Sequence, residues 1–396
     1  MFIVHVTLSS VVKAYPDMVL MFQGAELALL LRKHLRQSVA VSEEQERKSE
    51  FQHSSRPQLL MTELMAGPLS LTCQIISGLS LIVNLYLVYV YYICPVKVIK
   101  SYKYFFLLTA LQDIVYSICI ILIVPVLISK DFAYVFLAVG PMYKQPGGQV
   151  LMIIFVLSFI FSLLIVTNSF IYRYIQVCTP RFFDTYQSRH GVTVVLLINI
   201  GIIVNWLLIV YFDFWPTPSA IEQLSDTVLL LTGLNSSECA QLGLSVKHGL
   251  LKPLNLAMVA EILLLMSAMG GVMVYSALKI SSTLKQATFS KNLRKMHRQL
   301  FTLLLLQTAC PMTFLHTPCF LAFIFLFTGL RSTTPVSYII SILLALFPLI
   351  SPVIIIGFLN DYRNHTLIKL RLYKKVSEAP SKSVFASEIR TTPVAQ

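Results

Sequence analysis

Charged residues are scarce in this sequence, and acidic residues are the scarcest of them. Charged side chains account for 12% of the 396 residues, with 18 acidic against 31 basic, whereas about a quarter is usual in a soluble domain. The seven cysteines show no CxxC or Cys/His spacing, so a zinc or redox site is unsupported. This composition excludes an ordinary soluble domain, and we expect neither a metal site nor a cofactor.

Hydrophobic residues dominate instead, at 56% of the chain. The formal net charge of +13 would suggest a nucleic-acid partner in a soluble protein, but most of the lysines and arginines lie in short loops between apolar runs. Basic loops of that kind orient a membrane protein. The expected partner is therefore the lipid bilayer, and not a nucleic acid.

Seven apolar runs are long enough to cross a bilayer as helices, which takes about 20 residues each. They cover residues 69–93, 104–128, 150–172, 191–212, 255–278, 301–327 and 336–359. The predicted fold is an all-α membrane protein, a seven-transmembrane helix bundle. An odd number of spans places the two termini on opposite sides of the membrane.

Basic residues collect in alternate loops and in the tail. The set comprises Lys97, Lys100, Lys103, Arg173, Arg181, Arg189, Lys279, Lys285, Lys291, Arg294, Lys295, Arg298, Arg363, Lys369, Arg371, Lys374 and Lys375. By the positive-inside rule the C-terminus is cytoplasmic and the N-terminus is outside. A sequon at Asn235, Ser236 and Ser237 falls in a loop that charge assigns to the outside, so we expect glycosylation at Asn235.

The segments that flank the bundle differ from it in composition. Residues 1–68 are predicted to be a polar or disordered extension, or a gene-model error if Met61 is the true start. The bundle itself occupies residues 69–359. Residues 360–376 are basic and suit an amphipathic helix on the inner membrane surface. Residues 377–396 are predicted to be a disordered cytoplasmic tail that phosphorylation could modify.

Three polar residues lie at a similar depth within the predicted spans. Asn84 and Asp113 are nine residues from the cytoplasmic end of their spans and Ser351 is eight, which corresponds to about 12 to 14 Å. Polar groups inside a membrane usually face the bundle interior. The layer is either a switch region, hydrated or ion-binding, or a set of interhelical hydrogen bonds that holds the spans together; the two interpretations are compatible.

Four residues in the outer halves of the spans are candidates for ligand binding: Glu261, His316, Asn205 and Trp206. A cavity between helices that combines apolar and aromatic walls with a few polar groups suits a small ligand. The alternative for each polar residue is local helix pairing or exposure to water at the mouth of the bundle.

Prolines interrupt the last two spans, at Pro311 and Pro318 in the sixth and at Pro348 and Pro352 in the seventh. A proline inside a helix bends it and frees a backbone carbonyl, which must find another partner in lipid. These residues are predicted helix pivots, unless the bends serve packing alone.

Two spans end in tyrosine and arginine on the side assigned to the cytoplasm. The third ends in Arg173 and Tyr174, and the seventh is followed by Tyr362 and Arg363. Arginine at the end of a span often only anchors the helix at the interface. Beside a long basic loop, however, the two ends favour a docking face for a cytoplasmic partner.

Four stretches resemble the nematode serpentine chemosensory receptors of the Str superfamily, which are seven-helix G-protein-coupled receptors. They read FFLLTALQDIVYS in the second span, FIYRYIQVCTPR at the end of the third, RQLFTLLLLQTACPMTFLHTP leading into the sixth and FPLISPVIIIGFLNDYR in the seventh. The resemblance implies roles in activation and G-protein coupling for Arg173, Tyr174 and Pro352. It also implies a location in the plasma membrane, which includes the membrane of a sensory cilium.

The chain departs from the family pattern in two respects. Ser351 stands where members often carry an acid, which weakens any charge-based switch at that position. No cysteine lies near the outer end of the third span, so the disulfide that rhodopsin-like receptors make there cannot form. Cys239 lacks that partner, and Cys73 is only a weak alternative.

The expected function is that of a receptor that binds a small external molecule, such as an odorant, tastant or pheromone, and signals through a heterotrimeric G protein. One alternative is a ligand-gated cation channel with its N-terminus inside, which glycosylation mapping of Asn235 would distinguish. Another is a small-solute transporter, although the internal repeats common in transporters are not evident. An enzyme is not expected, because no intramembrane Ser/His or two-histidine pattern is present.

Overall fold

A computed structural model describes residues 56–94, 103–245, 253–286 and 291–369. Within these ranges seven helices are long and apolar enough to cross a membrane, so the predicted seven-helix fold is confirmed. The first five spans are the helices Arg56–Ile93, Lys103–Ile123, Gly147–Cys178, Arg189–Phe212 and Pro253–Gln286. The sixth span consists of Lys291–Pro311, a π-helical turn Met312–His316, and Thr317–Thr328, and the seventh is Thr334–Phe358.

The second span is shorter than the sequence suggested. Its helix ends at Ile123, so the prediction of a helix as far as residue 128 is wrong. Val124 has a positive φ of 38°, and Pro125 opens a β-strand. Proline cannot donate a helical hydrogen bond, and it disfavours the helical conformation of the residue before it. The helix therefore stops just before it.

A three-stranded antiparallel sheet, which the sequence analysis did not predict, lies at one end of the bundle. Its strands are β1 (Pro125–Lys130), β2 (Ala133–Ala138) and β3 (Gln241–Ser245), in the order β1-β2-β3. The turn between β1 and β2 has two residues with positive φ, 50° and 60°, the backbone that a two-residue hairpin favours. We call this end of the molecule the sheet end, and the other the opposite end.

Side-chain hydrogen bonds attach the sheet to the seventh span. The Ser337 hydroxyl donates to the Leu127 carbonyl at 2.6 Å, and the Ser341 hydroxyl donates to the Pro125 carbonyl at 2.9 Å. On the other edge, the Gln149 amide of the third span donates to the Gln241 carbonyl at 3.0 Å. The sheet therefore covers the end of the bundle as a fixed part of the fold.

The C-cap of the sixth span supports the hairpin turn. Gly329 has a φ of +68°, and a Cβ added there would lie 2.8 Å from the Phe132 ring at the tip of the hairpin. We expect Gly329→Ala to lower the free energy of unfolding by about 1 kcal/mol, because alanine is strained in this backbone region. Thermal unfolding of the protein purified in detergent would measure the loss.

Gly201→Ala is the matched control for this substitution. Gly201 lies within the fourth span, and an added Cβ there meets nothing within 4 Å. Alanine should be neutral or slightly stabilising at this position, because it favours helix more than glycine does. Equal stability of the two variants would contradict the expectation for Gly329.

The opposite end carries a terminal helix, Asn360–Lys369, which packs against the first span. The Tyr86 hydroxyl donates to Thr366 Oγ1 at 3.1 Å, and Lys369 Nζ lies 4.0 Å from the centre of the Tyr89 ring. The first part of the predicted 360–376 segment is thus helical. Residues 370–376 and the predicted disordered tail lie outside the described residues.

The N-terminal flank is described only in part. The helix of the first span begins at Arg56, so residues 56–68, which the sequence analysis assigned to the polar extension, continue the span as helix. Residues 1–55 of the predicted extension lie outside the described residues.

Candidate functional site

The prolines of the seventh span leave a backbone carbonyl that the first span satisfies. Because Pro352 has no N–H, the Pro348 carbonyl one turn earlier loses its helical partner. The Asn84 amide donates to that carbonyl at 2.8 Å and also to the Ser80 carbonyl at 3.0 Å. Asn84 is completely buried, so this contact fixes the kinked span from inside the bundle.

The three predicted polar-layer residues are brought together in the interior. Asp113 is completely buried and faces Ser351, while neither of its carboxyl oxygens makes a hydrogen bond of good geometry within the described residues. Ser117 donates to the Asp113 carbonyl at 2.7 Å and lies 2.9 Å from the Ser80 hydroxyl. Ser80, which Asn84 contacts, completes the chain of polar groups between the first, second and seventh spans.

Sequence reasoning missed Ser80 and Ser117. Each lies four residues from a polar-layer residue, Ser80 before Asn84 and Ser117 after Asp113. Residues four apart share one face of a helix, so this spacing was the available signal.

A small cavity adjoins the layer on the side of the sixth span. Its polar lining is formed by Thr109, Gln112, Ser162, Ser169, Gln307 and Ser351. Pro311 lies on the same wall and is followed by the π-helical turn Met312–His316, and Pro318 is the second residue of the helix after that turn. π-Turns and prolines are common causes of helix bends, and the role of these prolines as pivots stays a prediction.

A larger cavity of about 720 Å³, including its opening, lies beneath the sheet. Its walls come from the third, fourth, fifth, sixth and seventh spans and from β2 and β3. The lining residues are Tyr134, Phe136, Phe155, Val156, Phe159, Trp206, Phe214, Leu242, Ile262, Met266, Leu315, Cys319, Ala322, Phe323 and Leu344. We call this space the aromatic cavity. The contributions of the strands were missed because the strands themselves were not predicted.

Two of the four ligand-binding candidates lie at this cavity. Trp206 is on its wall and stacks on Phe159, with the ring centres 5.8 Å apart. His316 is buried and meets the same ring edge-on, with the ring centres 4.7 Å apart. Phe159 therefore joins the two residues and is itself a wall residue that sequence reasoning missed.

The other two candidates pair with each other away from the cavity wall. The Asn205 amide of the fourth span donates to Glu261 Oε1 of the fifth at 2.8 Å. Glu261 is exposed on the surface of its helix, and its neighbour Ile262 is the residue that lines the cavity. This geometry favours the helix-pairing interpretation of both residues.

Substitution of Glu261 should therefore have little effect on ligand response. We expect Glu261→Gln to keep the hydrogen bond with Asn205 and to change ligand potency by less than about twofold. If the cavity holds the ligand, Ile262→Ala at the adjacent wall position should lower potency more, because it removes apolar contact there. Dose–response curves for both variants at matched surface expression would test this, and a tenfold loss in Glu261→Gln would contradict it.

At the opposite end, the third span presents the predicted coupling residues. Arg173 is 4% exposed, and its Nη1 donates to Gln176 Oε1 at 2.8 Å. The Tyr174 ring lies 5.8 Å from that of Tyr275 on the fifth span. The guanidinium is thus enclosed by the bundle, and Tyr174 joins the third span to the fifth.

The two coupling candidates after the seventh span differ in exposure. Tyr362 is completely buried, and burial raises the pKa of its hydroxyl to about 12, so the side chain stays neutral. Arg363 is exposed and donates to Asn360 Oδ1 at 2.9 Å. Tyr362 therefore anchors the terminal helix, and Arg363 is open to a partner.

The sequon lies at the sheet end. Asn235 is exposed, and its Oδ1 accepts hydrogen bonds from the backbone N–H and hydroxyl of Ser237 at 3.2 and 2.9 Å. The nearby Cys239 is a free thiol, as are the six other cysteines, all of which are described. Cys239 and Cys73 therefore form no disulfide in this structure.

Comparisons with known proteins agree with the seven-helix fold. The family model for the serpentine type seven-transmembrane G-protein-coupled chemoreceptor Str matches residues 69–367. The G-protein coupled receptor str-33 of Caenorhabditis elegans is 22% identical over 295 residues, which cover 72% of this chain and 85% of the relative. Neither match favours the channel or transporter alternatives. The chain therefore belongs to the Str family of serpentine receptors, and it is a G-protein-coupled chemoreceptor of the plasma membrane.

Proposed function

We propose that the aromatic cavity is the site at which this chemoreceptor binds its external ligand. The observation that carries the proposal is a concave, almost wholly apolar cavity walled by five spans and the sheet. Ligand pockets are usually concave and lined mostly by apolar and aromatic side chains. Because five spans form the walls, the affinity of a ligand in this cavity depends on how those spans are arranged.

In this proposal the sheet end faces outside and the opposite end faces the cytoplasm. The basic residues near the opposite end, among them Arg181, Arg298 and Lys369, support that orientation through the positive-inside rule. The exposed Asn235 supports it independently, because N-glycosylation occurs on the outer side.

The third and sixth spans connect the cavity to the coupling end. The third carries Phe155 and Phe159 on the cavity wall and Arg173 at its other end. The sixth carries Leu315, within its π-helical turn, on the same wall. A ligand that prefers one arrangement of these spans shifts the population toward it, and the buried layer of Asn84, Asp113 and Ser351 is the switch through which we propose the shift passes.

The proposed partner at the opposite end is a heterotrimeric G protein. Arg173, Tyr174 and the exposed Arg363 lie at that end, next to the basic segment between the fifth and sixth spans. A rearrangement of the sixth span would open the region around the enclosed Arg173 to the partner. We propose that the sixth and seventh spans bend at the four predicted pivots during this step. The pivots are Pro311, Pro318, Pro348 and Pro352.

A cavity-filling substitution tests the binding site. Ala322 is 1% exposed and lies on the cavity wall, so Ala322→Phe should occupy the space and abolish the response to an activating compound found by screening with a G-protein readout. Leu264→Phe is the matched control, because Leu264 is 71% exposed on the outer face of the fifth span. A wild-type response from Ala322→Phe at equal surface expression would refute the site.

Orientation is tested separately by glycosylation mapping. We expect Asn235→Gln to remove a glycan and to increase the electrophoretic mobility of the receptor. If the wild-type protein carries no glycan and the loop around Asn235 is inaccessible to reagents added outside the cell, the loop lies inside. That result would favour the channel alternative.

A further inference from the structure

Glu261 carries a carboxyl group on the outer face of the fifth span. Its side chain is exposed, whereas the next residue, Ile262, is 1% exposed and lines the aromatic cavity. Ionisable residues within membrane spans almost always face the bundle interior, because hydrocarbon offers no partner for a polar group. The hydrogen bond from Asn205 explains why the two helices are joined here, but not why the join lies on the outer face.

The pair lies at the depth of the hydrocarbon layer and not at that of the headgroups. The fourth span has 24 residues and ends at Phe212, so it is about 36 Å long, only about 6 Å longer than a hydrocarbon core of roughly 30 Å. Asn205 is seven residues before Phe212, which is about 10 Å from the end of the helix. The 2.8 Å hydrogen bond from Asn205 holds Glu261 at the same depth. The headgroup region therefore does not supply further partners for the pair.

The pair leaves both a donor and an acceptor unused. An asparagine amide has two N–H groups, and a carboxylate has two oxygens. The bond from Asn205 Nδ2 to Glu261 Oε1 uses one of each, and neither side chain makes another hydrogen bond within the described residues. Unpaired polar groups are unfavourable in hydrocarbon. A partner in the membrane that accepts from the second N–H and donates to Oε2 would satisfy both groups.

We propose that this pair is the centre of an interface with a second copy of the chain. Two copies in one membrane have the same orientation, so a twofold axis along the membrane normal places both pairs at the same depth. In that symmetry the contacts are reciprocal, and Asn205 of each copy donates its second N–H to Oε2 of the partner's Glu261. A partner that offers only a basic side chain would satisfy Glu261 but would leave the second N–H of Asn205 unpaired.

Small residues next to the pair allow two copies to approach closely. Gly201, one turn from Asn205, is exposed, and an added Cβ there would meet nothing within 4 Å. Ala257 and Ala260, near Glu261 on the fifth span, are also exposed. Small residues are common where membrane helices pack, because they let the backbones come together. The interface does not include the aromatic cavity, so the proposal holds or fails independently of the proposed ligand site.

Energy transfer between purified copies tests the association. The full chain, labelled at its C-terminus with a donor or an acceptor fluorophore, would be reconstituted into phosphatidylcholine liposomes over a range of protein-to-lipid ratios. We expect saturable energy transfer that unlabelled wild-type chain competes away. Transfer no greater than that of randomly distributed protein would overturn the proposal. Association that occurs only in cell membranes, where other proteins are present, would also overturn it, because the partner would then be a different protein.

Substitutions at the pair test the contact itself. Glu261→Leu and Asn205→Leu should each weaken the association about fivefold or more, because each removes both reciprocal hydrogen bonds. Leucine suits a lipid-facing position, so we expect both variants to fold. Glu261→Gln keeps a hydrogen-bonding group and should stay within about twofold of the wild type. Asn168→Leu is the matched control, since it removes the bond to Asn199 between the third and fourth spans; an equal loss in this control, or no loss in the leucine variants of the pair, would overturn the proposal.

A mixture of the two leucine variants separates contact between copies from a role within one copy. Neither variant can form the pair within its own chain. In a mixed dimer, however, Asn205 of the Glu261→Leu copy can donate to Glu261 of the Asn205→Leu copy. The mixture should therefore associate about threefold more tightly than either variant alone, as expected for one interhelical hydrogen bond. No gain on mixing would show that the pair acts only within one copy, and would overturn the proposal.

Discussion

An Arg173→Ala receptor should reach the cell surface and bind ligand, yet it should not activate a G protein. Arg173 is 4% exposed at the end of the third span, and it donates to Gln176. The resemblance to the Str receptors assigns this position to coupling. Because the guanidinium lies at the end of the span and not in the middle, its loss should not prevent folding. We expect less than about a tenth of the wild-type signal at saturating ligand.

Two further variants sharpen this experiment. Arg173→Lys keeps the charge but loses the planar set of donors that arginine presents, so its signal should fall between those of the wild type and Arg173→Ala. Arg331→Ala is the matched control, since Arg331 is exposed and lies beside β1 at the sheet end, away from the coupling residues; its signal should stay close to that of the wild type. Normal coupling in Arg173→Ala at wild-type surface expression would show that the assignment is wrong.

Asn84→Leu should destabilise the receptor by about 1 to 3 kcal/mol, the usual cost of leaving a buried polar group unpaired. Leucine is close to asparagine in size but cannot donate to the Pro348 carbonyl, which Asn84 contacts at 2.8 Å. That carbonyl has no helical partner because Pro352 lacks an N–H. Thermal unfolding in detergent, with wild type and variant at the same lipid content, would measure the loss.

A double-mutant cycle separates this mechanism from a general loss of packing. Pro352→Ala restores the backbone N–H that a straight helix would offer to the Pro348 carbonyl, so Asn84→Leu should cost less in that background by about 1 kcal/mol. Asn168→Leu is the control: Asn168 is half-buried and bonds the Asn199 side chain at 2.8 Å, which leaves no proline-freed carbonyl behind. Additive losses in the cycle would refute the role given to Asn84.

The partner of the freed carbonyl illustrates how far sequence reasoning reaches. A proline in an apolar helix requires another donor for the carbonyl one turn earlier, and depth counting placed Asn84 level with Ser351, the residue before Pro352. Which donor supplies the bond depends on the rotation and tilt of the first span against the seventh. Those angles come from packing along the whole length of both helices, and no local pattern encodes them.

The sheet illustrates a limit of the same reasoning. The residues PVLISKDFAYVFLA form an apolar run, and a short apolar run is compatible with either helix or strand. What selects the strands is pairing with β3, more than a hundred residues later in the chain, together with carbonyl contacts to Ser337 and Ser341 on the seventh span. Only the Pro125 helix stop was visible locally.

The ligand candidates divide in the same way. Polar residues in the outer halves of the spans could be found by inspection of the sequence. The direction in which each side chain points around its helix could not. A rotation of about 100° separates consecutive residues on a helix, so Glu261 lies on the surface while Ile262 faces the cavity, and Asn205 bonds Glu261 while Trp206 faces the cavity. Phe159, which joins Trp206 to His316, carried no sequence signal beyond its hydrophobicity.

The sequence by itself determined the membrane class, the number of spans and the family, because hydrophobic length, loop charge and motif spacing are local properties of the chain. Only the tertiary structure decided that a sheet covers one end, that Asn84 satisfies the Pro348 carbonyl, and that the cavity has an uncharged aromatic wall with Trp206 on it. These features depend on which helix faces meet across distant parts of the chain. Packing and the hydrogen bonding of buried polar groups supply the free energy that selects these features. Both depend on pairs of segments and cannot be read from one segment alone.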